Sequence, residues 1–194
     1  MKVYLLRHGE TAFNREKRYQ GDWDIPLSPE GREALCPADF SPERVYVSPL
    51  SRAVESAEVL FPGARILPVP ELREMSFGVF QGRRYERMER DPDFLAAAGP
   101  DGMGALPGGE SRRAFIQRTC AAFSALMDQA QRAGEDLVIL AHGGTQMAIL
   151  ERYGLPRREY CGWCAPNGGG FLLDSGHWQS EKRLLLLREV RYSR

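Results

Sequence analysis

No apolar run in this 194-residue chain approaches the ~20 residues that a membrane-spanning helix needs. Charge of one sign is equally absent. Lys+Arg and Asp+Glu stand at 26 each, for a formal net charge of zero, so nothing suggests a nucleic acid or an anionic membrane as partner. Cysteine is sparse: Cys36, Cys120, Cys161 and Cys164. The start, MKVYLLRHGE, has too short an apolar core for a signal peptide and no small-residue cleavage site. Free thiols without a secretion signal lead to an expectation of a cytoplasmic protein. Internal repeats, low-complexity tracts and linkers are also missing, so residues 1–194 are expected to form one domain.

Two short patterns are set aside. Cys161-Gly162-Trp163-Cys164 is a C-x-x-C without two further ligands at metal spacing. It stands ahead of a strand, not at the start of an early helix as a redox pair would, and small apolar fillers are expected there. Gly168-Gly169-Gly170 leads into a strand, which excludes a phosphate loop.

What is present is an alternation of short apolar runs with helical patterns. Val3–Leu6, Val45–Val47, Ile66–Val69, Leu137–Ala141, Gly168–Leu173 and Leu184–Val190 read as strands. Ser28 with Pro29 opens a helix to about Leu35. Helices are also expected over 51–60, from Glu110 to about Ala133 with Phe115, Cys120, Phe123 and Met127 near one face, and from Thr145 to Tyr153. Asn14 to Trp23 carries no period and reads as a loop, and Leu72 to Phe80 is irregular. From 82 to 107 Arg, Glu, Asp, Gly and Pro dominate, as in a small helical cap inserted between sheet elements. Strands alternating with helices indicate an α/β fold with a mostly parallel sheet.

Two strands share one ending. Val3–Leu6 runs into Arg7-His8-Gly9, and Leu137–Ala141 runs into His142-Gly143-Gly144. Two of only three histidines thus stand at strand ends, where ligands bind in open α/β sheets. Arg52 starts the helix after the second strand and is expected at the same edge. Two guanidinium groups and two imidazoles around one point suit a phosphoryl group, whose charge is spread over several oxygens.

These residues carry a resemblance to the histidine phosphatase superfamily, also called phosphoglycerate-mutase-like. It runs collinearly through RHGET (7–11), QGDWDIPLSPEG (20–31), VSPLSRAVESA (47–57), LREMSFGVFQG (72–82), PGGES (107–111) and LAHGG (140–144). The expected fold is a three-layer α/β sandwich: a mostly parallel central sheet, helices on both faces and the small helical cap. The resemblance implies that His8 becomes phosphorylated while Arg7, Arg52 and His142 hold the phosphoryl oxygens. Asn14 and the Gly143 amide match further donors, and Gln20 and Gly21 lie in the loop at the pocket mouth. Glu74 matches the proton donor and acceptor, with Met75 and Phe77 as apolar company. No metal or other cofactor is required, because the arginines supply the positive charge.

The expected partner is a small phosphorylated metabolite, and the expected reaction is metal-independent hydrolysis of its phosphomonoester. The short chain and the PNGGGFLLD ending (166–174) look like the α-ribazole phosphatase and broad-specificity branch. A phosphoglycerate mutase is the nearest alternative; those of the family carry a longer stretch between the acid and the second histidine. A redox C-x-x-C protein and a non-catalytic phospholigand-binding module remain as other classes.

Overall fold

A computed structural model describes residues 1–88, 90–98 and 106–194, apart from the side chains of 96–98. Among the described residues seven strands form one sheet: β1 (Lys2–Arg7), β2 (Arg44–Val47), β3 (Arg65–Pro68), β4 (Leu137–Ala141), β5 (Gly154–Leu155), β6 (Gly169–Asp174) and β7 (Leu184–Arg191). Their order is β3-β2-β4-β1-β6-β7-β5. The pairs from β3 through β1 are parallel, as is β5 with β7; β6 runs antiparallel to both neighbours. The sheet is mostly parallel, as expected, with an antiparallel insert.

Side chains alternate between two cores. Val3, Leu5, Leu137 and Ile139 face one side, under helices α5 (Arg112–Ala133) and α6 (Gly143–Tyr153). Tyr4, Leu6, Val138 and Leu140 face the other, under α3 (Ser51–Leu60) and Leu35, which directly follows α2 (Pro29–Ala34). Strands covered on both faces explain the unbroken apolar runs. The layers are therefore helix, sheet, helix.

The helix boundaries have local causes. Ser28 caps α2 through the Gly31 N–H with Pro29 at its first position, and Ser111 caps α5 through Ala114 N–H, so that helix begins two residues later than expected. Gly134, at φ 69°, ends it. The expected loop from Asn14 is corrected at its start, because α1 (Ala12–Arg15) forms there. Thr11 and Asn14 make a reciprocal capping box around this four-residue helix, too short to leave a period in the sequence. β5 and the single-turn α7 (Trp178–Glu181) were also not expected.

Of the cap, the turn Tyr85–Arg87 and helix α4 (Pro92–Ala98) are described, packing Met88 and Phe94 against Phe80 and Leu106. Residues 89 and 99–105 of the expected insertion lie outside the described residues. Among the described residues no helix is long and apolar enough to cross a membrane.

Candidate active site

Strand register brings the two histidines together. Arg7 pairs with Ala141 across the parallel β1–β4 ladder, so His8 and His142 leave neighbouring strands at one level. Their rings lie 5.2 Å apart, inclined at 64°. β2 ends beside them, with the Ser48 N–H donating to Leu140 O at 3.1 Å.

The His8 ring has a defined role for each nitrogen. His8 Nδ1 is 2.6 Å from the Gly9 carbonyl oxygen. A carbonyl only accepts, so Nδ1 carries the proton and Nε2 presents its lone pair. Ser48 Oγ is 2.7 Å from His142 Nε2 and already accepts from Leu50 N–H at 3.4 Å. His142 Nδ1 is a buried atom without a hydrogen-bond partner in the protein. Burial, reinforced by the Arg52 and Arg7 charges, pushes both imidazoles well below the ordinary 6.5. They are neutral at neutral pH.

The arginines are oriented by backbone carbonyls. Arg52, 1% exposed, donates from Nη1 to Trp23 O (2.8 Å) and from Nη2 to Gly21 O (2.7 Å). Its Nε is buried and unpartnered. Burial pushes Arg52 down to about 10 against the opposing Glu74 and Asp24 carboxylates, so it remains a cation. The Asp24 carboxylate also accepts from Ser51 N–H and Oγ at 2.7 and 2.8 Å, tying the 20–24 loop to the start of α3. Arg7 donates from Nη1 to Ala165 O at 2.8 Å, and its Nε too is buried and unpartnered.

Glu74 approaches from an irregular segment. Its Oε1 accepts from Met75 N–H (3.0 Å) and its Oε2 from Gly144 N–H (3.1 Å), in the first turn of α6. A Cβ on Gly144 would stand 2.2 Å from Glu74 Oε1, so any larger residue there would push the carboxylate from its place. Gly143, the first residue of α6, lies against Arg7, with a Cβ there falling 3.6 Å from Arg7 Cζ.

The remaining expected residues frame the site. Asn14 Oδ1 accepts from Thr11 N–H and from Asn167 Nδ2, both at 3.1 Å, so those bonds leave its own Nδ2 group unused. Gln20 is buried and accepts from Thr11 Oγ1 at 2.7 Å. Gly21, at φ 55°, turns the loop so that its carbonyl reaches Arg52. Among the described residues no three His, Cys, Asp or Glu side chains cluster as metal ligands.

Three contributors escaped sequence reasoning. Ser48 directly follows the Val45–Val47 run and Asn167 directly precedes the Gly168–Leu173 run, and nothing in the sequence marks either. Asn167 Nδ2 donates to His8 O at 3.2 Å and Gly9 O at 3.1 Å, fixing the loop on which the His8 ring stands. The third, Arg118, holds the segment beneath Glu74. The expectation that Cys161 and Cys164 are small apolar fillers is corrected: both are exposed, and Cys164 Sγ lies 3.5 Å from Arg7 Nη1.

A model of the histidine phosphatase superfamily (branch 1) matches residues 3–169, and the chain belongs to that superfamily. It is thus an enzyme of the phosphatase and mutase class. The "Probable phosphoglycerate mutase GpmB" of Cronobacter sakazakii is 30% identical over 154 residues, 74% of this chain and 70% of that one. The fold is similar to that of "a putative alpha-ribazole-5'-P phosphatase" from Escherichia coli K-12, with TM-score 0.80, 25% identity and 98% and 96% of the two chains covered. A phosphoglycerate mutase of Thermus thermophilus superposes with TM-score 0.73 at 30% identity, over 98% of each chain.

Proposed function

We propose that the protein is a metal-independent phosphomonoesterase in which His8 is phosphorylated and Glu74 is the general acid and base. One observation carries the reading: the donors Arg7 Nε and Arg52 Nε and the ring nitrogen His142 Nδ1 are buried without partners in the protein, grouped around a neutral His8. Buried donors are costly to leave unpaired, and a tetrahedral anion offers acceptors to all three at once. Glu74, Asn14 and Gly143 then border the same group.

The first step forms an Nε2–P bond as the P–O bond to the alcohol breaks. The leaving oxygen takes its proton from Glu74, and the arginines and His142 hold the three peripheral oxygens. In the second step Glu74 takes a proton from water, the water oxygen attacks phosphorus and the Nε2–P bond breaks, releasing phosphate. Four free cysteines fit a cytoplasmic setting.

The substrate branch rests on the similar structure named for α-ribazole 5′-phosphate and on the compact stretch between Glu74 and His142. Phosphoglycerate mutation is the second reading, supported by the names of the 30%-identical relatives. A panel containing α-ribazole 5′-phosphate, 3-phosphoglycerate and simple alkyl phosphates separates them. Release of inorganic phosphate, fastest from α-ribazole 5′-phosphate, is the expected result. Conversion of 3- to 2-phosphoglycerate faster than any hydrolysis would overturn it.

A further inference from the structure

Glu74 lies on a segment without regular structure, between the 3-10 turns Pro70–Leu72 and Gly78–Phe80. Neither a strand ladder nor a helix fixes its backbone. We propose that Arg118, on α5, is the positioning residue of the acid-base arm, with Glu110 as its counter-ion. The inference rests on the reading of Glu74 as the acid and base.

All five guanidinium N–H donors of Arg118 are engaged. Nε and Nη2 form a fork on the Glu110 carboxylate, both at 2.7 Å. Nη1 donates to Glu71 O (2.6 Å) and Arg73 O (2.8 Å), and Nη2 also donates to Glu74 O (3.2 Å). One side chain therefore holds three carbonyls up to the backbone of Glu74. Glu110 closes the far side, its own N–H donating to Ser76 O at 2.9 Å. Glu74 is bracketed from both directions.

The clamp is largely withdrawn from solvent, with side-chain exposures of 22% for Arg118 and 19% for Glu110, so its geometry is held and only weakly screened. None of these bonds reaches the Glu74 carboxylate. Arg118 acts through the backbone, keeping Oε2 on the Gly144 N–H and so beside the phosphoryl site. Lysine, with three donors on a tetrahedral nitrogen, cannot fork the carboxylate and reach three carbonyls together.

An arm that delivers a proton matters in proportion to how badly the leaving oxygen needs one. Alcohol release from Arg118→Met and Arg118→Lys is therefore measured in the first turnover with 4-nitrophenyl phosphate and with butyl phosphate. For butyl phosphate the expected loss is about 10- to 100-fold in both variants, as for a misplaced catalytic group. For the 4-nitrophenolate burst it is under about 3-fold, since that anion leaves unprotonated. Inhibition by inorganic phosphate stays within about twofold, because the phosphoryl donors are untouched.

In a Glu74→Gln background Arg118→Lys adds less than about twofold, because both changes act on one group. Equal losses on both substrates, or losses that add to Glu74→Gln, overturn the inference. If Arg118→Met fails to fold, Arg118→Lys and Glu110→Gln carry the same comparison. Should Glu74→Gln alone slow both substrates equally, the acid role itself falls and takes this inference with it, a result distinct from an Arg118 effect that is merely additive.

Discussion

The two halves of the site are built in opposite ways. His8, His142 and Ser48 leave the ends of adjacent parallel strands, and Arg52 stands on the first turn of the helix after β2. Their relative positions follow from ladder register, which slips only in whole residues. Glu74 reaches the same point on an irregular segment, steered by hydrogen bonds from α5 and α6. The proposed phosphoryl half is therefore rigid by construction, and the proposed acid half is held by a few replaceable contacts. Changes in the first should remove chemistry altogether, and changes in the second should shift it.

The largest expected effect breaks the rigid half. His8→Asn removes the proposed nucleophile, and turnover of every phosphomonoester should fall by at least about 10⁴-fold. Phosphate release retaining a tenth of the original rate would contradict covalent catalysis by this residue. Next comes the acid half. Gly144→Ala places a methyl group where Glu74 Oε1 now lies. It should slow butyl phosphate turnover roughly 100-fold while leaving the 4-nitrophenolate burst nearly intact. A parallel loss on both substrates would mean that the carboxylate serves binding, not proton transfer.

A smaller change sharpens the rigid half from behind. Ser48→Ala takes away the partner of His142 Nε2 and frees the imidazole to change tautomer. A roughly tenfold fall in kcat/KM is expected, typical of losing the group that orients a functional histidine. An unchanged rate would show that the tautomer is set otherwise.

The smallest effect is on stability. Burial keeps His8 and His142 uncharged in the folded protein, whereas an unfolded histidine takes up a proton near 6.5. Below that pH the unfolded chain binds more protons, so stability falls as the pH drops through the window beneath 6.5. Thermal unfolding midpoints followed from about pH 7 downward should decline less steeply in His8→Asn than in the original protein. Equal slopes would contradict the burial of a neutral imidazole.

The same contrast decides how much was legible in the sequence. α3 and β4 have the expected bounds because each carries its pattern within itself: buried residues at 52, 53, 56, 57 and 60 in the helix, five buried in a row in the strand. Strand-end residues are visible for the same reason, so His8, His142, Arg7 and Arg52 could be grouped beforehand. α1 could not, since a capping box holds it instead of a period. Nor could the antiparallel place of β6 beside β1, which is a matter of pairing between distant segments. Arg118 reads along the chain as one more helix arginine, because the carbonyls it holds lie 44 to 47 residues away. Groups mounted on local structure announce themselves; groups mounted by long-range hydrogen bonds do not.

The unpartnered buried groups around His8 are proposed to grip a phosphoryl group in transit to that ring. Acid-quenched turnover is too harsh for a phosphoramidate, so the direct measurement is alkaline quenching during turnover of ³²P-labelled substrate, followed by peptide mapping. Label on the peptide containing His8, stable to base, labile to acid and abolished in His8→Asn, is the predicted result. Full turnover with no trapped label, or label on another residue, would contradict it.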